Sequence, residues 1–283
     1  KLQNKIIVMN KSKVEETKDR AGEDYWSSVW KNTALPEPIN PLNHQLKNHI
    51  IKEFDKVFKK VLGNFILKDK KILEVGCGNS VWLPYLARTY NLVPTGLDYS
   101  EFGCEQERRI FQRDAIKGEV YCADMFNPPS ELLGSFDIVL SMGVVEHFDD
   151  TAAAIMSLKK FLKKDGMIIT TIPNNTGLLG WLQKVINKPI YDIHNIIDKE
   201  DLERAHLKNE FDIVFSEYVV GVGLHVNLDA KDEPVRNLKI KKWVVKVLSL
   251  ITTFFWFFET HIFRIPPSRK FSPAVILIAK SKI

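Results

Sequence analysis

Short apolar runs alternate with helical segments from residue 71 onward, and this rhythm constrains the fold more than any other feature. The runs are KILEV (71–75), LVPTGLDYS (92–100), EVYCADM (119–125), FDIVLSMGVVEHF (136–148) and MIITTIPN (167–174). Brief apolar strands separated by helices predict a parallel sheet covered on both faces and joined by right-handed crossovers. Such sheets bind ligands at the carboxyl ends of their strands, where the strand order reverses.

Three helical segments lie between these runs. SVWLPYLARTY (80–90) follows a glycine turn, and SEFGCEQERRIFQRDAI (100–116) begins with Ser100 as a predicted N-cap. TAAAIMSLKKFLKKDG (151–166) has apolar residues at helical spacing, so we expect a helix across that whole stretch.

Additional segments surround the predicted core. Residues 1–64 are interpreted as an N-terminal tail and helical lid, and residues 65–283 as the core, with insertions at 174–208 and 228–268. The last insertion separates two late strands, FDIVFSEYVVGVG and PAVILIAK. We expect the later insertions to cover the ligand edge of the sheet.

Composition narrows the class of protein. The chain has 283 residues, is 45% hydrophobic and carries a net charge of +5, with its lysines scattered over both ends, so no nucleic-acid partner is expected. The cysteines Cys77, Cys104 and Cys122 show neither a disulfide framework nor zinc-ligand spacing. The first twenty residues are too polar for a secretory signal. These features predict a cytoplasmic protein.

The turn after the first run, EVGCGNS, indicates the kind of ligand. Gly76 and Gly78 let the backbone approach a ligand closely, but the third glycine of a dinucleotide-binding turn is absent. Glu74 disfavours a pyrophosphate beside this turn and favours a cation. At the next two strand ends, Asp98 is placed to accept from ribose hydroxyls and Asp124 from an adenine amino group. A ligand with a ribose, an adenine and a cationic part is predicted.

At this point the sequence resembles the class I S-adenosylmethionine-dependent methyltransferases, specifically the small-molecule branch that includes ubiquinone-biosynthesis O-methyltransferases. The resemblance rests on LEVGCGNS, TGLDYS, YCADMF, FDIVLSMGVVEHF and LKKDGMIITTIPN, which occur in this order over about residues 65–220. It implies a Rossmann-like, mostly parallel seven-stranded sheet with an antiparallel last strand. It also implies S-adenosylmethionine as cofactor and S-adenosylhomocysteine as product.

The resemblance further implies which residues contact the cofactor, at the ends of the first four strands and in the lid. Taken singly, each acid among them could equally be a helix cap or turn residue, and the lid aromatics could be ordinary core. The implied set is Glu74 at the ammonium group, the Gly76, Cys77 and Gly78 turn, Asp98 and Tyr99 at the ribose and adenine, Asp124 and Met125 at the adenine edge, Ser141 and Met142 at the methionine end, and Tyr25 and Trp30 in the lid.

Two histidines compete for a catalytic role. His194, within the insertion after the fifth strand, is the first choice for a general base that deprotonates a hydroxyl acceptor, although packing or helix capping is an open alternative. Glu146 and His147 are expected to support their loop. No metal ligand is assigned, because relatives associated with a divalent metal carry an additional acid where Gly143 stands here.

The tract WVVKVLSLITTFFWFF (243–258) is shorter than the about 20 apolar residues that span a bilayer and is interrupted by Lys246. A helical cap buried on the core or lining an apolar acceptor pocket is one interpretation. Peripheral membrane contact is the other, because KIKKW places cations and a tryptophan at one end. Both suggest an acceptor with a lipophilic portion.

The preferred function is methyl transfer from S-adenosylmethionine to a small-molecule acceptor, at an oxygen of a partly lipophilic metabolite or glycan intermediate. A nicotinamide-dependent oxidoreductase is the second hypothesis, because two glycines and Asp98 partly match its fingerprint. A non-catalytic protein that binds the cofactor or a partner is the third. Methylation of proteins or nucleic acids is disfavoured, because SMGV follows the fourth strand where amino-group methyltransferases carry NPPY-type motifs.

Overall fold

A seven-stranded sheet forms the centre of the protein, whose computed structural model describes residues 17–228 and 235–282. The strand order is β3-β2-β1-β4-β5-β7-β6, and β7 runs antiparallel to both of its neighbours. This confirms the predicted fold class. The strands are β1 Lys71–Val75, β2 Val93–Asp98, β3 Glu119–Cys122, β4 Phe136–Met142, β5 Leu162–Pro173, β6 Phe211–Val219 and β7 Ala274–Ser281.

Helices precede, connect and follow these strands. Residues 1–16 of the predicted tail and residues 229–234 of the last insertion lie outside the described residues. The helices are α1 Glu23–Asn32, α2 His49–Leu62, α3 Trp82–Tyr90, α4 Glu101–Arg113, α5 Thr151–Lys159, α6 Leu178–Ile186, α7 Lys188–Asp192, α8 Lys199–Lys208 and α9 Val235–His261. As predicted, α4 begins after Ser100, whose side-chain oxygen accepts from the Gly103 N–H at 3.3 Å.

The apolar strands have two buried faces because adjacent side chains point to opposite sides of a sheet. Leu73 and Val139 pack in one core cluster with residues of α5 and α8, whereas the neighbouring Ile72 and Ile138 pack in another with residues of α2 and α3. This two-sided burial explains why the strands read as continuous apolar runs. Strand order reverses between β1 and β4, so the ligand crevice is expected there.

The predicted helix over 151–166 is too long. The helix ends at Lys159, and β5 starts at Leu162, which pairs with Phe136 of β4. The register then shifts, because the next pair is Ile138 with Met167, and Asp165 inside the irregularity has a φ of 59°. Pairing with β4 therefore overrides the helical spacing of these residues.

The aromatic tract lies within α9. Of the two interpretations that the sequence left open, burial as a cap does not hold for most of the helix. Within the described residues, the stretch Asn237–His261 is long and apolar enough, by length and composition alone, to cross a membrane. Only 11% of its most apolar part is buried in the protein. Among the side chains of α9 that the structure describes, those of residues 237–261, Thr252 and Trp256 are the fully buried ones. Most residues of the tract are therefore partly or largely exposed.

Candidate active site

A cavity of about 270 Å³ opens where the carboxyl ends of β1, β2, β3 and β4 meet. This is the predicted position, and residues from separate motifs come together in its wall. The predicted cofactor residues that line it are Trp30, Gly76, Asp98, Tyr99, Asp124, Met125 and Met142. In the part of the chain that the structure describes, neither the insertion at 174–208 nor α9 contributes a residue to this wall.

The turn after β1 requires glycine at two positions. Gly76 has a φ of 72°, and a Cβ there would lie 2.4 Å from Val144 Cγ2. Gly78 has a φ of 40°, and a Cβ there would lie 2.5 Å from Trp30 Cζ2. The turn is thus pressed between the loop after β4 and α1. Cys77 is buried below it against Gly96, away from the cavity wall, which suits a small residue rather than a reactive thiol.

Asp98 connects the turn to the cavity. Its Oδ2 accepts from the Gly78 N–H and its Oδ1 from the Ser100 N–H, both at 2.8 Å. Burial raises the pKa of this carboxyl to about 6, and the hydrogen bonds from backbone N–H groups moderate that rise. Each carboxylate oxygen has a second lone pair, so Asp98 can still accept from the hydroxyls of a ribose.

The adenine end of the predicted site is formed by the residues after β2 and β3. Tyr99 donates its hydroxyl to Asp19 Oδ2 at 2.8 Å, and burial raises the pKa of that hydroxyl. Asp124 Oδ1 accepts from the Phe126 N–H at 2.9 Å, so this hydrogen bond holds the carboxylate in place and does not use Oδ2. Met125, the next residue, is buried. A partly apolar wall with a carboxylate acceptor suits an adenine.

Glu74 lies beneath the turn and not in the cavity wall. It is 2% exposed, and its Oε2 has no hydrogen-bond partner among the described residues. Burial raises the pKa of this carboxyl to about 8, although hydrogen bonds from Ser80 and from the Leu83 backbone lower the pKa in part. A buried carboxyl with an orphaned oxygen fits a nearby ammonium group, because a cation would stabilise its charged form. The residues present therefore fit S-adenosylmethionine.

Besides Glu74, Cys77 and Gly78, three further predicted site residues lie outside the cavity wall for reasons of local geometry. Ser141 is fully buried within β4, whereas the next residue, Met142, points to the cavity, because successive strand residues alternate in direction. Tyr25 packs edge-on against Trp26, and Trp26 is the lid residue that lines the cavity with Trp30. These two tryptophans are one helical turn apart and stack at 5.5 Å. His194 is the third and lies one layer behind the wall.

His147 forms the wall next to the end of β4, and His194 packs behind it with ring centroids 4.7 Å apart. The Nδ1 atoms of the two rings lie 2.9 and 2.7 Å from the carbonyl oxygens of Ile193 and Ile190. Those contacts assign the proton of each neutral ring to Nδ1, which leaves Nε2 as the acceptor. Burial, with His194 nearby, lowers the pKa of His147 to about 4, and burial also lowers the pKa of His194. Both rings are thus neutral near pH 7.

Glu146 completes a compact group with these histidines that the sequence did not predict. One ligand-type atom from each of the three residues lies within 4.8 Å of the others. Burial raises the pKa of Glu146 to about 8, and its Oε2 has no hydrogen-bond partner among the described residues. One carboxylate and two imidazoles form a donor set that suits a divalent transition metal. If one binds, these residues would hold it, and it would act as a Lewis acid on an acceptor oxygen.

Residues 17–20 form a strap over the cavity that no sequence signal indicated. Thr17 and Asp19 line the cavity, and Asp19 forms an isolated antiparallel bridge with Phe148. Arg20 Nε donates to Asp149 Oδ1 at 2.6 Å. The segment is polar and lacks periodicity, so only its tertiary contacts reveal its position.

Comparisons with known proteins agree with this geometry. A family model described as a methyltransferase domain matches residues 42–215. The ubiquinone biosynthesis O-methyltransferase of Pelagibacter ubique is 28% identical over 171 residues, which cover 59% of this chain and 67% of that protein. The protein of the same name from Psychrobacter cryohalolentis is 25% identical over 238 residues, which cover 78% of this chain and 87% of that protein.

A solved structure shares the fold at low sequence identity. Magnesium protoporphyrin IX methyltransferase from Synechocystis, with bound S-adenosylhomocysteine, matches with a TM-score of 0.57 and 15% identity, covering 92% of this chain and 97% of that one. The family match, which covers more than half of the chain, leaves the nicotinamide hypothesis without support. The chain belongs to the methyltransferase-domain family and is a class I S-adenosylmethionine-dependent methyltransferase.

Proposed function

We propose that this enzyme transfers the methyl group to an oxygen atom of a small-molecule acceptor that has an apolar portion. The observation that carries the proposal is the position of His147 in the cavity wall at the end of β4, as a neutral ring with Nε2 available as acceptor. An alcohol or phenol must lose a proton during methylation, and a neutral imidazole can accept it.

The strand order predicts how the cofactor would lie. Adenine would sit at the end of β3 beside Asp124, and the ribose at the end of β2 beside Asp98. The methionine part would lie over the glycine turn after β1, with its ammonium group near Glu74. The sulfonium methyl group would then point toward β4, where Met142 and His147 lie. This order supports the predicted roles of the motif residues.

The reaction would be an in-line displacement. The acceptor oxygen forms a bond to the methyl carbon, the carbon–sulfur bond breaks, and its electron pair stays on S-adenosylhomocysteine. The acceptor proton passes to the histidine pair. We retain His194 as the predicted base together with His147, because both Nε2 atoms are free of the carbonyl contacts that occupy Nδ1. Alignment and exclusion of water supply much of the acceleration for such a good leaving group.

We further propose that the N-terminal segment up to residue 64 supplies the lid through α1, while its α2 packs with the core formed by residues 65–283. Trp26 and Trp30 line the cavity from α1, and Trp30 lies against both Gly78 and Gly103, so α1 closes the pocket by contact with the turn itself.

Cys77, Cys104 and Cys122 form no disulfide, which supports a reducing, cytoplasmic location.

The acceptor atom is supported by the relatives that carry the name ubiquinone biosynthesis O-methyltransferase, at 24% to 30% identity. The wall residues Phe126, Val144 and Phe148 are apolar and support an acceptor with an apolar part. Quinols, hydroxylated lipids and lipid-linked glycan intermediates all meet these two requirements.

The test is a transfer assay with S-adenosylmethionine labelled in its methyl group and a panel of those acceptors. We expect label on an acceptor oxygen, together with calorimetric binding of S-adenosylhomocysteine and none of NAD. Binding of S-adenosylhomocysteine without transfer to any acceptor would favour the non-catalytic hypothesis. Transfer to nitrogen or carbon would show that the acceptor atom is wrong while leaving the cofactor site in place.

A further inference from the structure

The side of α9 that faces away from the protein carries a row of large apolar side chains, here called the outer stripe. Its members are separated by three, four or seven residues, which places them on one side of a helix. Their exposed fractions lie between 44% and 66%. The outer stripe consists of Ile240, Trp243, Leu250, Phe254 and Phe257. A contiguous exposed row of this size marks a surface that contacts something apolar.

The opposite side of α9 is attached to the protein from Val244 onward. Val244, Val245 and Leu248 pack against the cluster that α6 contributes. One turn further on, the Thr252 hydroxyl oxygen accepts from the Leu224 N–H at 3.1 Å. The middle of the helix therefore lies along the protein surface.

The second half is attached as well. Trp256 donates its indole N–H to the Val222 carbonyl oxygen at 2.8 Å and is stacked between the rings of His49 and His225. The Glu259 carboxylate lies 3.1 Å from His49 Nε2. Because these contacts hold α9 from Val244 to Glu259, over about 23 Å of its length, it cannot cross a bilayer in this conformation. The outer stripe is instead presented sideways, parallel to the protein surface.

The charges on α9 are distributed unequally. Exposed lysines lie toward its N-terminal end, at Lys239, Lys242 and Lys246. Glu259 is the single acid in the sequence of the helix, and it is buried against His49. The outward side thus combines cations with apolar and aromatic residues and presents no negative charge of its own. That combination is complementary to a membrane surface with anionic headgroups.

Exposed apolar residues continue on neighbouring segments. Trp181 and Val185, one turn apart, are exposed on α6, which packs beside α9. Ile262 and Phe263 directly after α9 are exposed too. The apolar surface therefore extends beyond a single helix face.

We propose that α9 binds in the plane of an anionic lipid bilayer, with its outer stripe at the boundary between headgroups and acyl chains. α9 connects β6 to β7 at the same edge of the sheet that holds the cavity, because β6 ends and β7 begins at that edge. Docking would bring the membrane to the side of the sheet where the methyl acceptor enters. The docking does not depend on the identity of that acceptor.

The experiment is flotation of the full chain with vesicles of phosphatidylcholine alone or mixed with phosphatidylglycerol. We expect binding to the mixed vesicles, reduced at least tenfold in the Leu250→Glu/Phe254→Glu double variant, because two apolar contacts are lost. The matched control is Ile66→Glu, which changes a side chain that is 90% exposed in the loop before β1. This control should bind like the original protein, and all three proteins should bind S-adenosylhomocysteine equally.

A second pair of measurements separates lipid binding from self-association. Lys242→Glu/Lys246→Glu should weaken binding to the mixed vesicles and make the remaining binding less sensitive to salt. Absence of vesicle binding, or equal binding by the outer-stripe variant, overturns the proposal. A concentration-dependent dimer that disappears in the outer-stripe variant, without vesicle binding, overturns it in favour of a second copy of the chain.

Discussion

The two halves of the carboxyl edge of the sheet differ in which residues they bury. One half buries charged residues, and the other exposes apolar residues. Over β1, β2 and β4, the acids Glu74, Asp98 and Glu146 are buried, although carboxylates normally face water. Beyond β5 and β6, α9 exposes Trp243 and Phe254, although such residues normally pack inside. Both departures lower the stability of the isolated protein, and each would be relieved by a partner of the complementary kind.

The two halves differ in the kind of partner that would offset this loss of stability. Buried carboxyls beneath a narrow cavity call for a small cationic ligand that reaches them individually. An extended apolar row calls for a partner with a broad surface. The two proposals therefore differ in kind: the first half would bind a small ligand, and the second half would dock on a surface.

The attachment of α9 should show the largest effect. Trp256→Ala removes a buried ring and its hydrogen bond, so we expect the free energy of unfolding to fall by about 3–5 kcal/mol. Urea unfolding measures this, with Trp256→Phe as the control, which keeps the stacking and loses about 1 kcal/mol with the hydrogen bond. A loss below that of the control would mean that α9 is only loosely held to the core.

The histidine pair should show the next largest effect. His147→Ala and His194→Ala should each reduce kcat about 100-fold, the lower end of what general base catalysis contributes. The dissociation constant for S-adenosylhomocysteine should stay unchanged, because the cofactor is held at the other strand ends. His44→Ala, an exposed histidine away from the cavity, serves as the control. Full activity of both variants would remove the pair from the mechanism.

Asp98 tests the cofactor side of the comparison. Asp98→Ala should weaken binding of S-adenosylhomocysteine by roughly 1–3 kcal/mol, because charge-assisted hydrogen bonds to the ribose are lost. Calorimetry measures the change, and Asp212→Ala on β6, whose carboxylate is largely exposed and paired with Lys282, is the control. An unchanged affinity would contradict the placement of the ribose at β2.

The smallest effect concerns pH. The folded-state pKa of His147 is lowered to about 4, so its neutral form persists as the pH falls below the ordinary histidine value of 6.5. At saturating cofactor, kcat should therefore change less than about twofold between pH 7.5 and pH 6. An acid limb with a midpoint near 6.5 in the pH–rate profile would show that the base is an unperturbed group.

The strands and the acids at their ends were predictable because they depend on local pattern. The central runs had apolar residues on both faces, and each acid lay at or near the carboxyl end of its strand, so position in the sequence determined position in the fold. The helix over 151–166 was overextended because Leu162 gains more from pairing with β4 than from continuing a helix. No pattern within that segment reports on its partner strand.

The lid and the catalytic wall were less predictable. Tyr25 and Trp26 differ by about 100° around α1, and only the docking of α1 on Gly78 decides that Trp26 faces the cavity. The strap over residues 17–20 is held by a bridge to Phe148, a contact far away in the sequence. In the same way, the apolar tract predicted a helix, but its exposure depends on which neighbours α9 has.

The position of β7 has a consequence for the order in which the chain can assemble. β7 is the last strand in sequence, yet it lies between β5 and β6 and supplies the hydrogen-bond partners for both. During synthesis, β6 therefore has no place in the sheet until Ala274–Ser281 has left the ribosome. Until then β5 and β6 each have an unpaired backbone edge, a stage that a chaperone or rapid closure by β7 must keep from aggregating.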